Sequence, residues 1–206
     1  MAKEKSISST EHHARHAQKG NRQSFALLYD RVAPALYAWA AIRISPRHQG
    51  RLEPSDIVQD TWWRTLDAFD QFDPAKGSFR AWMFRIATNV LTDHYRRMNV
   101  RGQLATTHKT GQQQSLPDDV LAQLTSISQA AARNDDAAHI IAAVSALEKD
   151  DQDLVTYCGL EGLTTVEAAP VLGITPKACE KRWQRLRSRL RESPKWQSFL
   201  SITTDD

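Results

Sequence analysis

At 206 residues, against about 150 residues per domain, the chain has room for one large domain or two small ones. Charged residues make up 25% and the hydrophobic set 41%, an ordinary globular composition that excludes a disordered chain. Lysine and arginine number 27 against 24 acidic residues, a net charge of +3, so any electrostatic signal lies in the distribution of charge. Two cysteines, Cys158 and Cys179, with no CxxC pair, exclude a disulfide framework and make a reduced, cytoplasmic protein the default. The longest apolar run, Val32 to Ile42, has 11 residues with Pro34 inside it, well short of the about 20 that a membrane span needs, so no membrane insertion is expected. The polar, His-rich N-terminus has no apolar signal core, and secretion is not expected either. Collagen and coiled coil are excluded by composition and period.

In chain order, residues 1–20 read as a polar N-terminal tail, with Ser6, Ser8, Ser9 and Thr10 followed by His12, His13 and His16. Residues 21–99 carry apolar and aromatic side chains at helical spacing and read as a first domain. Residues 100–136 read as a linker, because from Arg101 to about Ser128 the chain is Gln, Thr, Ser and Gly without aromatic residues and cannot offset its ordering entropy by burial. Periodic apolar residues return in a second domain, 137–193, ahead of a C-terminal tail, 194–206. No strand-like alternation exceeds four or five residues, which predicts an all-α fold of two small helical domains joined by a flexible linker.

In the first domain, Phe25, Leu28, Val32, Leu36 and Trp39 recur every three or four residues, with Pro34 expected to bend the helix or split it in two. Pro54-Ser55-Asp56 offers Ser55 as N-cap of a helix carrying Ile57, Val58, Thr61, Trp62, Leu66 and Phe69. Asp73-Pro74 and Gly77 mark a loop. Ser78 then caps the longest helix, whose apolar stripe is Phe79, Trp82, Met83, Ile86, Ala87, Val90 and Leu91. Trp82, on that stripe, reads first as core.

In the second domain, Thr164 and Glu167 form a capping box. A short helix follows and stops at Gly173, and Thr175-Pro176 restarts a helix as N-cap and first-turn proline. On that helix Cys179, Trp183, Leu186 and Leu190 fall within about 60° of one another. Lys177, Lys181, Gln184 and Ser188 lie opposite, with Arg182 and Arg185 on one flank. Two short helices about a Gly turn, the second basic outside, make a helix-turn-helix.

Charge is segregated. Lys177 to Lys195 holds eight basic residues against Glu180 and Glu192, and Arg80 to Arg101 holds five against Asp93. Glu53 to Asp73 holds six acids against Arg64 alone. Two basic surfaces suggest a polyanion contacted at two points, and the acidic helix suits a basic protein partner. His12 and His16 have i, i+4 spacing, but no carboxylate or cysteine cluster completes a metal site. Asp93 and His94, as helix neighbours, are expected to face different sides and to form no catalytic pair. No phosphate-binding or dinucleotide glycine pattern is present. No enzyme activity, metal or cofactor is expected.

Read together, two blocks resemble the extracytoplasmic-function (ECF) branch of the sigma-70 family of bacterial RNA polymerase sigma factors. Ser55-Asp56-Ile57-Val58-Gln59-Asp60-Thr61-Trp62 resembles the family's polymerase-binding helix, D-[ILV]-V-Q-[DE]. It runs into Phe72-Asp73-Pro74-Ala75-Lys76-Gly77-Ser78-Phe79-Arg80-Ala81-Trp82-Met83-Phe84-Arg85-Ile86-Ala87-Thr88-Asn89, which is similar to the family's promoter −10 reader. Glu161-Gly162-Leu163-Thr164 through Gly173-Ile174-Thr175 to Arg182 is similar to its −35 helix-turn-helix. The likeness covers roughly residues 22–98 and 140–191. Two departures stand out: Pro170 inside the first helix of the helix-turn-helix, expected to kink it, and Leu147-Glu148 where the family often has Leu-Pro.

The resemblance implies a sigma region 2 domain and a sigma region 4 domain that together bind core RNA polymerase and direct promoter-specific initiation. Asp56, Gln59, Asp60 and Trp63 would contact polymerase, at the β′ clamp helices, with the β flap as a second contact. Lys76, Ser78, Phe79, Arg80, Arg85, Asn89, Arg96 and Arg97 would meet the −10 DNA, the loop from Asp70 to Ser78 capturing an unstacked base. Thr164, Lys177, Lys181, Arg182, Gln184 and Arg185 would meet −35 duplex. Promoter DNA, duplex and single-stranded, and an anti-sigma factor are the further partners. The chain is expected to be a monomer when free, cytoplasmic, and at the nucleoid when bound to polymerase. The alternatives are a helix-turn-helix activator or repressor acting apart from polymerase, and an enzyme acting on nucleic acid through the acids of Glu53 to Asp73.

Overall fold

The computed structural model describes residues 9–101, 135–192 and 196, and every regular element among them is helical. The all-α expectation holds. No helix of the described residues is long and apolar enough to cross a membrane. A first group comprises α1 (Ser9–Gln18), α2 (Arg22–Arg43), α3 (Pro54–Asp67) and α4 (Phe79–Arg101). A second comprises α5 (Asp135–Ser145), α6 (Lys149–Leu154) running into a π-helical turn (Val155–Leu160), α7 (Thr165–Leu172) and α8 (Pro176–Arg191). Residues 102–134, most of the expected linker, lie outside the described residues. Its two ends, Arg101 and Asp135, are helical.

The centre of the molecule is α2, which packs on α1, α3, α4 and α5. Leu28, Tyr29, Val32, Ala33, Leu36, Trp39 and Ala40 are all buried, because a helix apolar nearly all round must have neighbours on every side. Pro34 does not split it: one helix runs from Arg22 to Arg43 with Pro34 inside. The proline forgoes the bond to the Asp30 carbonyl, and burial against four helices outweighs that loss.

Part of the segment read as a polar tail is helix α1, docked on α2 through the fully buried Ala14. Its end is fixed by a Schellman turn: Asn21 N–H donates to the His16 carbonyl at 3.2 Å and Gly20 N–H to that of Ala17 at 2.9 Å. Gly20 sits at φ 82°, a conformation that strains residues with a Cβ. Asn21 then caps α2, its Oδ1 accepting from Ser24 N–H at 2.9 Å.

Helix α3 begins earlier than expected. Glu53 is the N-cap and Pro54 the first helical residue, so Ser55 is not the cap; proline's missing N–H costs nothing in that first turn. Asp56 accepts from Glu53 N–H at 3.3 Å. Arg64 pairs with Asp93 at 2.8 Å, and His94 Nε2 lies 2.8 Å from Asp60 Oδ2. Asp93 and His94, expected to face different sides of the helix, both reach α3, each with its own partner.

In the second group the local signals fold as read. Thr164 and Glu167 make a reciprocal capping box, and the turn closes at Gly173, φ 65°, with Ile174 N–H donating to the Ala169 carbonyl at 3.1 Å. Pro170 is exposed, and α7 continues past it to Leu172. Cys179, Leu186 and Leu190 of α8 are buried and Trp183 is half-buried. The two groups share one continuous core, with α5 and the π-helical turn packed on α2.

Candidate functional site

Three surfaces hold the residues singled out in the sequence. The first is the loop between α3 and α4. A 3-10 turn, Phe69–Gln71, leads into it. Asp73 Oδ1 accepts from Ala75 N–H at 2.9 Å, Lys76 N–H donates to the Asp73 carbonyl at 3.0 Å, and Ser78 Oγ accepts from Ala81 N–H at 3.2 Å. These bonds frame a cleft of about 100 Å³ lined by Gln71, Phe72, Asp73, Lys76, Gly77, Trp82 and Arg85. The Phe72 and Trp82 rings lie 5.4 Å apart at 40°; Phe72, only 4% exposed, backs the half-buried Trp82, which is the accessible aromatic side chain beside the basic Lys76 and Arg85. Trp82 is thus both: packed against the core and lining the cleft. Gln71 and Phe72 lie inside the expected Asp70–Ser78 loop but are not among the individual residues expected to contact DNA.

Not every residue expected at the −10 DNA faces outward. Phe79 is fully buried, edge-on behind Phe72 at 5.4 Å, and is core rather than a stacking surface. Ser78 caps α4. Arg80 is only 5% exposed: its Nε donates to the Leu160 carbonyl at 2.9 Å, and a second guanidinium nitrogen donates to that of Gly159. Arg85, Asn89, Arg96 and Arg97 are exposed along α4. Lys76 is exposed, 3.6 Å from Asp73.

The Arg80 contact belongs to a polar seam between the two helical groups that sequence reading did not find. Trp39 Nε1 donates to Glu161 Oε1 at 2.7 Å in a buried site. Arg43 donates to the Tyr157 hydroxyl at 2.9 Å and holds its Nε 4.0 Å from the same carboxylate. Burial pushes the Glu161 carboxyl above the ordinary glutamate range, opposed by the Trp39 hydrogen bond and the Arg43 charge. Beside it, burial and the neighbouring Cys179 push the Cys158 thiol up to about 12, which keeps it protonated and unreactive.

The second surface is α8. Lys177, Lys181, Gln184 and Arg185 are exposed on it. Arg182 pairs with Asp150 of α6 at 3.0 Å, Arg189 pairs with Asp151, and Gln184 Nε2 donates to Glu180 at 3.3 Å. Thr164 is exposed but engaged, its N–H donating to Glu167 at 2.9 Å; the bonds from Thr164 hold the Glu167 carboxyl below the usual range. The third surface is α3, where Asp56 is exposed and Gln59, Asp60 and Trp63 are half-buried. On α1 the His12 and His16 rings lie 4.4 Å apart; among the described residues no group of three or more His, Cys, Asp or Glu is arranged to hold a metal.

Comparison with known proteins gives a family. Residues 28–101 match Sigma-70 region 2. The RNA polymerase sigma factor CnrH of Cupriavidus metallidurans is 32% identical over 177 residues, covering 86% of this chain and 90% of that protein. NccH of Alcaligenes xylosoxydans, also named an RNA polymerase sigma factor, is 31% identical over the same shares. The ECF RNA polymerase sigma factor BldN of Streptomyces coelicolor is 28% identical over 76% of this chain and 55% of its own length. A solved structure of CnrH in complex with the cytosolic domain of CnrY aligns at 25% identity over 96% of this chain and 99% of that one, with a TM-score of 0.42. The chain belongs to the extracytoplasmic-function branch of the sigma-70 family of RNA polymerase sigma factors.

Proposed function

We propose that this sigma factor, which binds core RNA polymerase and promoter DNA to direct initiation, divides promoter recognition between the cleft before α4 and the outer face of α8. The observation that carries the reading is the cleft itself. An unpaired base needs a π surface beside cations, and stacking contributes about 1–3 kcal/mol per base. Trp82, backed by the buried Phe72, with Lys76 and Arg85 at the rim offers that combination. Arg85, Arg96 and Arg97 continue the basic track along α4 for the backbone of the melted strand, with the Asn89 amide among them as a polar contact. Binding energy alone can drive the exchange of base pairing for protein contacts.

On α8, Lys177 and Lys181 project from the first turns, where a recognition helix reaches base edges, and Arg182 and Arg185 flank them towards phosphates. Asp56, Gln59, Asp60 and Trp63 form the proposed contact with the β′ clamp helices. A groove of about 280 Å³ is lined by Leu154, Tyr157, Val171, Leu172 and Ile174 and by the charged Asp150, Asp153 and Arg182; with Val171 56% exposed, it supports a contact with the β flap through a mixed apolar and charged surface. An anti-sigma factor covering the same groove would block that contact. The reading places the protein with polymerase in the cytoplasm, at the nucleoid when engaged. The Sigma-70 region 2 match does not favour a regulator acting apart from polymerase. Run-off transcription by core polymerase with this chain on a promoter library tests the proposal. Trp82→Ala is expected to abolish selective products while leaving core binding intact; unchanged products would remove the cleft from promoter recognition.

A further inference from the structure

We infer that Gln18, at the end of α1, is a positioning residue for the cleft: its side-chain amide straps the α3–α4 loop and sets the Phe72–Trp82 wall in place. The inference rests on the reading of that cleft as the base pocket. Gln18 Nε2 donates to two carbonyls three residues apart, that of Phe69 at 3.0 Å and that of Phe72 at 2.8 Å. A primary amide nitrogen has two hydrogens, one for each carbonyl. The two acceptors bracket the 3-10 turn Phe69–Gln71, a short element whose own bonds constrain it poorly. Phe72 is both the second acceptor and the first aromatic residue of the cleft wall. Phe72 N–H donates to the Phe69 carbonyl at 3.1 Å, so with its carbonyl also held both ends of the residue are fixed, and with them the direction in which its side chain leaves the backbone towards Phe79 and Trp82.

The strap itself is anchored. Ala14 buries α1 against the core, and the Schellman turn at Gly20 followed by the Asn21 cap leaves Gln18 little freedom relative to α2. Gln18 lies upstream of the matched region 2 segment, residues 28–101. Both of its side-chain bonds go to backbone carbonyls at the start of the loop, so it acts through the loop. Without the amide, the turn can relax and the wall loses its preset spacing before a base arrives. The cost then falls on base capture and spares assembly with polymerase.

The test uses holoenzyme assembled from core polymerase and the full chain, on a promoter selected from a randomised library. Opening is followed by permanganate reactivity of unpaired thymines, and core affinity and thermal midpoint are measured alongside. Gln18→Leu, close in size but without donors, is expected to slow opening about tenfold with core affinity and −35 duplex binding unchanged. Gln18→Lys, which can still donate to both carbonyls, is expected to retain most of the rate. If Gln18→Lys slows opening as much as Gln18→Leu, donation is not the cause and the inference is overturned. If Trp82→Ala slows opening and Gln18→Leu does not, the brace is wrong and the base pocket stands. If neither slows it, the pocket reading falls and the brace with it.

Discussion

Arg80 Nε donates to the carbonyl oxygen of Leu160 across 2.9 Å, so the first turn of α4 holds the end of the π-helical turn in the other helical group. The family resemblance assigns Arg80 to promoter DNA, but at 5% exposure its guanidinium is out of reach of DNA while it sits in the seam. Engagement of DNA by Arg80 therefore requires the two groups to separate at this seam.

Replacing Arg80 by Ala leaves the Gly159 and Leu160 carbonyls without their charged donor, a loss of about 1.5–3 kcal/mol per contact of this kind. Amide exchange over Val155 to Leu163 is expected to speed up at least about tenfold, while protection in α3 stays as it was. Unchanged exchange in that stretch would show that the guanidinium contributes nothing to holding the groups together.

The Glu161 carboxyl gives the seam a pH dependence. Its folded pKa is raised by burial above the ordinary value of 4.5. Its contribution to stability is therefore fully present below that value and is lost as pH rises through the raised one. Glu161→Gln keeps an oxygen that accepts from Trp39 Nε1 and cannot ionise. Measured against this variant, the thermal midpoint of the natural chain should fall as pH is raised from about 4.5. A difference that stays flat across the titration would rule out the carboxyl as its source.

Asp60→Arg places a cation against His94 and inverts the charge of the α3 patch. Core polymerase affinity should fall at least about tenfold. The half-buried Asp60–His94 contact contributes about 1 kcal/mol to stability, as a single hydrogen bond does, so helical circular dichroism should be normal. Undiminished affinity in a core titration would remove this helix from the interface.

Arg182 is held by Asp150 at 3.0 Å in an exposed pair, which it must leave to reach a phosphate. Asp150→Asn should raise −35 duplex affinity a few-fold at low salt. Arg182→Ala should lower affinity across sequences and reduce the salt slope by about one counterion. Lys181→Ala should instead change which sequence is preferred, at roughly 1–3 kcal/mol for the favoured base. Equal salt slopes for the natural chain and Arg182→Ala would place Arg182 off the backbone.

Sequence alone determined the all-α class, the turns of the helix-turn-helix and the apolar stripe of α8. Those features depend on side chains within about four residues of one another: Thr164 with Glu167, Thr175 ahead of Pro176, Gly173 in the left-handed region. Short-range capping and helical period are properties of the local chain, and they survive whatever the rest of the molecule does. The α3–α4 loop was legible for the same reason. Its detailed wall was not, since Phe72 and Trp82 meet from two elements, and Phe79, between them in sequence, is fully buried behind both.

Tertiary structure decided what distant residues share. Trp39 and Glu161 are 122 positions apart, Arg80 and Leu160 are 80 apart, and Gln18 and Phe72 are 54 apart. A buried carboxylate or guanidinium must find a partner when water is withdrawn, but the identity of that partner follows from how helices stack and leaves no periodic mark. Arg80 carries the sign of a DNA contact in the sequence, and only the packing of α4 against the π-helical turn shows it bonded within the chain.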